Sequence, residues 1–198
     1  MLASRLAIPR TRSINDRVLL LQCLSPRGQN RELLHSRCTL SSPTGETFVP
    51  QASQILPCLY ISDLWTATHI TTLISLGITH RLSIQLAPLE RPPKSVALKT
   101  RCIPLQDKCS ARLWMYMDTA IDWISAALAE GGTVLVHCTW GKSRSVAFVV
   151  AFLMRTYGMT LGQALAYVQE KRPIAKPNEG FMQHLRLYEK GMKTISKG

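Results

Sequence analysis

With 198 residues, the chain has room for one ordinary domain with a real core, and a balance of 46% hydrophobic to 18% charged residues fits a soluble globular protein. No apolar run approaches the roughly 18–20 residues of a transmembrane helix, and six cysteines with no CxxC pair indicate neither a zinc site nor a disulfide framework. The net charge of +12 attracts phosphate-bearing partners, yet scattered basic residues and 7% aromatic content leave a dedicated nucleic-acid surface without support, so no nucleic acid is expected as a partner.

Residues 1–50 differ from the rest: they hold Arg5, Arg10, Arg12, Arg17, Arg27, Arg31 and Arg37, no lysine, and only Asp16, Glu32 and Glu46 as acids. That composition suits a basic disordered arm, and equally an arginine-rich mitochondrial presequence. Asp16 and the lack of a helical face of arginines weigh against the presequence. A folded domain is expected over 54–192, followed by a flexible tail at 193–198.

Gln54 to Ser62 reads as the first strand of that domain. Asp63 to Leu76 follows as a helix with Ile70, Leu73, Ile74 and Leu76 inward, stopped by Gly77. Ile78 to Ile84 returns as a strand, in which His80 reads as structural. Ala87 to Lys94, with three prolines, must be loop. Leu98 to Leu105 is the next strand and runs out into Gln106-Asp107-Lys108-Cys109. Leu113 to Ala129 is a periodic helix, with Leu113, Met117, Ala120, Ile121, Ile124 and Leu128 on one face and Asp118 and Asp122 off it. Trp114, Tyr116 and Trp123 suit packing and surface positions better than a ligand box.

Behind the turn Gly131-Gly132, Thr133 to His137 is a short β-branched run of the kind found in interior strands. From Val146 to Met154 the chain is apolar without a break and continues to Gly158, as in a buried helix with a C-terminal glycine cap. Cys138 therefore stands at the end of a strand, and Thr139, Trp140, Gly141, Lys142, Ser143 and Arg144 form a loop at the mouth of a helix. Backbone amides turned inward there, with the positive end of the helix dipole, make a cradle for phosphate. The same field favours a thiolate and hence a nucleophile. Arg144 offers a planar fork of donors to two phosphate oxygens, and Gly141 permits the tight backbone path. Ser145 is placed to hydrogen-bond a departing thiolate, and His137 to fix the loop by bonding its backbone. Beyond the helix, Thr160-Leu161-Gly162-Gln163 is a capping box opening a helix to Lys171. A last helix runs to about Lys193 with Phe181, Leu185, Tyr188 and Met192 inward.

The string HCTWGKSRS resembles the HCxxGxxRS signature of the cysteine-dependent dual-specificity protein phosphatases. Gln54 to Ile61 is similar to that family's I-x-P-x-LYI opening, and Arg172 to Phe181 to its RP-x3-PN-x-GF segment, so the likeness covers about residues 54–192. It implies an α/β fold, with a central, mostly parallel sheet of four to five strands flanked by helices. It implies hydrolysis of phosphotyrosine and phosphoserine/threonine through a cysteinyl-phosphate, without metal or other cofactor. Asp107, 31 residues before Cys138 and at the C-terminal end of a neighbouring strand, inherits the role of general acid. Asn178 is expected to cap the last helix, and Phe181 to pack it beneath the loop. Two residues depart from the commonest form. Trp140 stands where a small residue is frequent, its indole expected at the rim. Lys142 adds charge beside Arg144, a feature similar to phosphoinositide and phosphatidylglycerophosphate phosphatases, although Thr139 replaces the lysine those enzymes usually carry after the cysteine. Phosphorylated proteins are the expected substrates, with phosphoinositide or another anionic lipid as the alternative; a catalytically silent phosphate-binding module is the third reading. A reactive thiol points to the cytoplasm or nucleus, with mitochondria the alternative through the arginine-rich arm. Oligomeric state is not readable.

Overall fold

The computed structural model describes residues 40–41, 47–48, 51–90 and 97–195, with side chains over 51–90 and 97–192. Residues 1–39, 42–46, 49–50, 91–96 and 196–198 lie outside these, and with them the expectations for most of the arm, for the end of the loop read over Ala87 to Lys94, and for the end of the tail. Two short strands, β1 (Leu40–Ser41) and β2 (Thr47–Phe48), pair antiparallel.

The main sheet has five strands in the order β3-β4-β7-β5-β6: Ala52–Leu56, Leu59–Ser62, Val134–His137, His80–Ile84 and Lys99–Ile103. Pairs β4 with β7, β7 with β5 and β5 with β6 are parallel, and only β3 runs antiparallel, against β4. This agrees with the mostly parallel α/β sheet expected from the sequence. The apolar, fully buried β7 takes the centre, as a strand covered on both faces should. Its last residue, His137, lies between Ser62 on one side and Ser83 on the other, and the chain delivers Cys138 just beyond them.

Helices α3 (Met117–Ala129), α4 (Arg144–Tyr157), α5 (Leu161–Lys171) and α6 (Glu179–Ile195) follow in chain order on one face. Before them, α1 (Leu64–Thr68) and α2 (Ile70–Ser75) cover the other, where Ala67, Leu73, Ile78 and Leu135 form a small second core. The large core gathers on α4, whose residues Arg144 to Met154 are all buried. Unbroken burial explains why its sequence is apolar all round. Gly158 ends it in the left-handed conformation at φ 67°, and the capping box of Thr160 and Gln163 opens α5.

Three sequence expectations need correction. Gln54 to Ser62 is a hairpin, not one strand: Pro57 has no N–H to continue a ladder, the register shifts at Gln54/Leu56, and the Gln54 amide donates to the Pro57 carbonyl at 2.7 Å to close the turn. The helix at 63–76 is two helices. At the break, His69 is extended, its ring stacks on Trp65, and the Thr68 hydroxyl donates back to the carbonyls of Leu64 and Trp65. The break shifts the phase of the second helix, so Ile74, expected inward, is 61% exposed. Finally, the helix expected from Leu113 starts as a 3₁₀ turn, Leu113–Tyr116, before α3. Its face is as expected, and Asp118 and Asp122 pair with Arg155 of α4.

Candidate active site

An anion cradle requires amides pointing in, so its carbonyls must point out and find donors elsewhere. The loop after β7 meets this requirement at every residue from 139 to 143. The carbonyl of Thr139 accepts from the Leu64 N–H at 3.0 Å, that of Lys142 from the Lys176 N–H at 2.7 Å, and that of Ser143 from Ala147 N–H at 2.9 Å. Those of Gly141 and Trp140 accept from Nε and Nη2 of Arg172 at 2.6 and 3.2 Å. Among the described residues, the amides of Thr139, Gly141, Lys142 and Ser143 meet no protein acceptor. Gly141 takes φ 62°, and a Cβ there would lie 2.5 Å from both the Arg172 guanidinium and the Ser62 carbonyl. Glycine is demanded twice over, by dihedral and by space.

Cys138 is 1% exposed, and its Sγ lies 3.3 Å from Ser145 Oγ in the first turn of α4. Arg144, at the start of that helix, is held by its Nη1, which donates to the carbonyls of Ile84 and Leu105 at 3.1 and 3.3 Å, while Nη2 donates to Thr139 Oγ1 at 2.8 Å. Nε is buried and unpaired by any hydrogen bond, with only the Asp107 carboxylate 3.7 Å away. The Nε–Nη2 edge of the fork is thus the one left for two oxygens of an anion.

Asp107 arrives from the loop beyond β6. Its Oδ1 accepts from Ser143 Oγ at 2.6 Å and from Asn178 Nδ2 at 2.8 Å, leaving Oδ2 toward Arg144. The Asn178 N–H donates to Ser143 Oγ at 3.2 Å, and its Oδ1 accepts from the Phe181 N–H at 3.0 Å. Asn178 therefore caps α6 as expected and in addition fastens Asp107 to the loop. Gly180 secures the same loop from below, since a Cβ there would meet the Cys109 carbonyl oxygen at 2.0 Å. Trp140 is 57% exposed at the rim and Lys142 is exposed. A thiol at the floor, a two-oxygen fork, a ring of amides and a carboxyl on the far side suit nucleophilic displacement at phosphorus with protonation of the departing oxygen.

Residues 59–191 match the family model described as "Dual specificity phosphatase, catalytic domain". The chain belongs to this family. Dual specificity protein phosphatase 1 of Arabidopsis thaliana is 43% identical over 136 residues, 69% of this chain and 68% of that protein. Human protein phosphatase Slingshot homolog 3 is 39% identical over 147 residues, but the match spans only 22% of its length. Among solved structures, human DUSP28 superposes with a TM-score of 0.68 at 27% identity, covering 74% of this chain and 97% of that one. DUSP15 gives 0.67 at 30%, covering 70% and 86%. The protein is thus a small dual-specificity phosphatase, using the cysteinyl-phosphate mechanism general to that family on phosphorylated proteins.

Two features of this dual-specificity phosphatase site go beyond the sequence reading. His137 faces the backbone of Cys138 on one side and β5 on the other. Its Nε2 shares a 2.7 Å hydrogen bond with Ser83 Oγ on β5, because its side chain projects to the α1 and α2 face with Leu135, and its Nδ1 makes no hydrogen bond of good geometry. Burial first, then the Arg81 guanidinium, lower its pKa to about 3, the backbone of Cys138 working weakly the other way. The ring is neutral at physiological pH. The second feature is Arg172, read from sequence only as the first residue of the RP-x3-PN-x-GF segment, with no role at the loop. Its side chain is fully buried, and Nη1 reaches on to Ser53 Oγ at 3.1 Å and the Gln51 carbonyl at 3.3 Å. An arginine set directly before a proline, at the head of the RP-x3-PN-x-GF segment, was the available signal. Among the described residues, no group of three His, Cys, Asp or Glu side chains is placed to hold a metal ion.

Proposed function

We propose that the enzyme hydrolyses phosphotyrosine and phosphoserine/threonine in proteins with Cys138 as nucleophile, Arg144 and the amides of 139–144 as the phosphate cradle, and Asp107 as general acid and base. The observation that carries the assignment is Asp107. A carboxylate from the loop beyond a separate strand is bonded to Ser143 inside the phosphate loop, 3.7 Å from the free edge of Arg144. In the first step the Cys138 sulfur forms a bond to phosphorus, the ester P–O bond breaks, and Asp107 gives its proton, from Oδ2, to the departing oxygen. In the second, water attacks the cysteinyl-phosphate, Asp107 takes up a proton, and the sulfur leaves as a thiolate accepting a hydrogen bond from Ser145 Oγ. Arg144 holds two equatorial oxygens throughout, where charge spreads in the transition state.

A mouse neighbour at 29% identity and a TM-score of 0.69 was crystallised with zinc tungstate, and tungstate shares the tetrahedral oxyanion shape of phosphate. That supports an oxyanion as the occupant of the loop. A reactive thiol supports the reducing cytoplasm or nucleus as its place of work.

The assignment is tested by three substitutions on the full chain. Cys138→Ser should abolish turnover of an aryl phosphate yet still bind vanadate. Asp107→Asn should slow esters with poor leaving groups far more than activated aryl phosphates; equal losses on both would remove the acid role. Arg144→Lys should cut the rate severely, since a point charge cannot replace a fork. Side-by-side rates on diphosphorylated peptides, phosphoinositides and phosphatidylglycerophosphate decide the substrate class, and a faster lipid reaction would replace the protein reading.

A further inference from the structure

The outward carbonyls of the loop are served by three backbone amides and one side chain. That side chain is Arg172, and it serves two of the five. We propose that Arg172 is a positioning residue of the phosphate cradle: its guanidinium turns the carbonyls of Trp140 and Gly141 away from the anion, and so turns the neighbouring amides toward it. The proposal rests on the reading of the loop as a phosphate site, and it goes beyond that reading by assigning the cradle's shape to a residue outside the loop.

Geometry requires a planar, multidentate cation here. Nε and Nη2 lie on one edge of the guanidinium and reach two successive carbonyls at once, an arrangement a lysine ammonium cannot copy without abandoning one of them. The remaining nitrogen, Nη1, is anchored to Ser53 and Gln51, so the fork is braced against the edge strand β3 and cannot swing with the loop. Gly141 closes the arrangement from the other side, since any Cβ would press on Nη2. The position is costly. The group is fully buried, and burial lowers its pKa, with the charges of Asp63 and then Cys138 acting in the opposite sense. A buried cation that bonds mostly to carbonyls gains less than one paired with a carboxylate, as expected of a group kept for what it arranges.

The test uses the full chain carrying Arg172→Lys. Competent sites are counted from the burst of phenol released by an aryl phosphate, so that misfolded molecules do not enter the constants. Per competent site, kcat/KM should fall about tenfold or more, and the inhibition constant for vanadate should rise by a similar factor. The ratio of rates between good and poor leaving groups should stay as in the wild type, because Asp107 is untouched. A merely structural arginine would instead give fewer competent sites and a lower Tm with unchanged constants, and that result overturns the proposal. Should Arg172→Lys not fold, Ser53→Ala leaves the arginine and the loop intact while removing one anchor. It should weaken vanadate about two- to fivefold, and unchanged affinity overturns the proposal equally. Arg144→Lys runs alongside: if neither it nor the Arg172 variant alters vanadate inhibition, the phosphate-cradle reading itself has failed, whereas a loss confined to Arg144→Lys refutes only the role of Arg172.

Discussion

Acidification should destabilise this enzyme through His137, by an amount the structure sets. Burial of the imidazole, with the nearby Arg81 guanidinium adding to it, holds its pKa at about 3, whereas in the unfolded chain it titrates at about 6.5. Between those values the unfolded chain binds a proton that the fold refuses, so stability is complete above about pH 6.5 and drains away as the pH falls toward 3. At pH 5 the unfolded chain sits about one and a half units below its titration point, and at about 1.4 kcal/mol per unit the loss relative to pH 7 is about 2 kcal/mol. His137→Gln provides the control, since its amide can still bond Ser83 but does not titrate. Urea unfolding of both proteins at pH 7 and pH 5 should show the wild type losing about 2 kcal/mol more than the variant. His80, whose pKa is also lowered by burial, is present in both and cancels. Equal pH dependence in the two proteins would refute the reasoning.

Gly141→Ala should cost about 1 kcal/mol for the left-handed backbone and about 1–3 kcal/mol more for the contacts its Cβ would make, with about a hundredfold loss of kcat/KM as the amides shift; thermal melts and aryl phosphate kinetics check both. Gly180→Ala drives a Cβ into the Cys109 carbonyl, so the loop carrying Asp107 must move. Turnover of poor leaving groups should fall about tenfold while activated aryl phosphates are spared, and a uniform loss would count against it. Phe148→Ala empties a fully buried position on α4 and should lower stability by about 3–5 kcal/mol in urea unfolding.

The parts of the site that sequence made legible are those built by neighbours in the chain. Val134 to Ser145 encodes strand, turn and helix by local pattern, and the nucleophile's place follows from that. The burial of α4 and the capping of α5 were readable for the same reason. What escaped depends on residues far apart. The hydrogen bonds of Asp107 to Ser143 and Asn178 join positions 36 and 71 residues distant, and Arg172 reaches 31 residues back to Gly141. No periodicity announces such links. The break at His69 was hidden because apolar spacing continues through it, while the side-chain hydrogen bonds of Thr68 decide the backbone locally.

The donors that shape the bowl around the sulfur come from Leu64, Ala147, Arg172 and Lys176, on both sides of Cys138 in the chain. During synthesis the cysteine emerges before three of them exist. In a nascent or truncated polypeptide the loop therefore lacks most of the donors that turn its carbonyls outward, and the bowl around the sulfur takes shape only when the last third of the domain has closed over it.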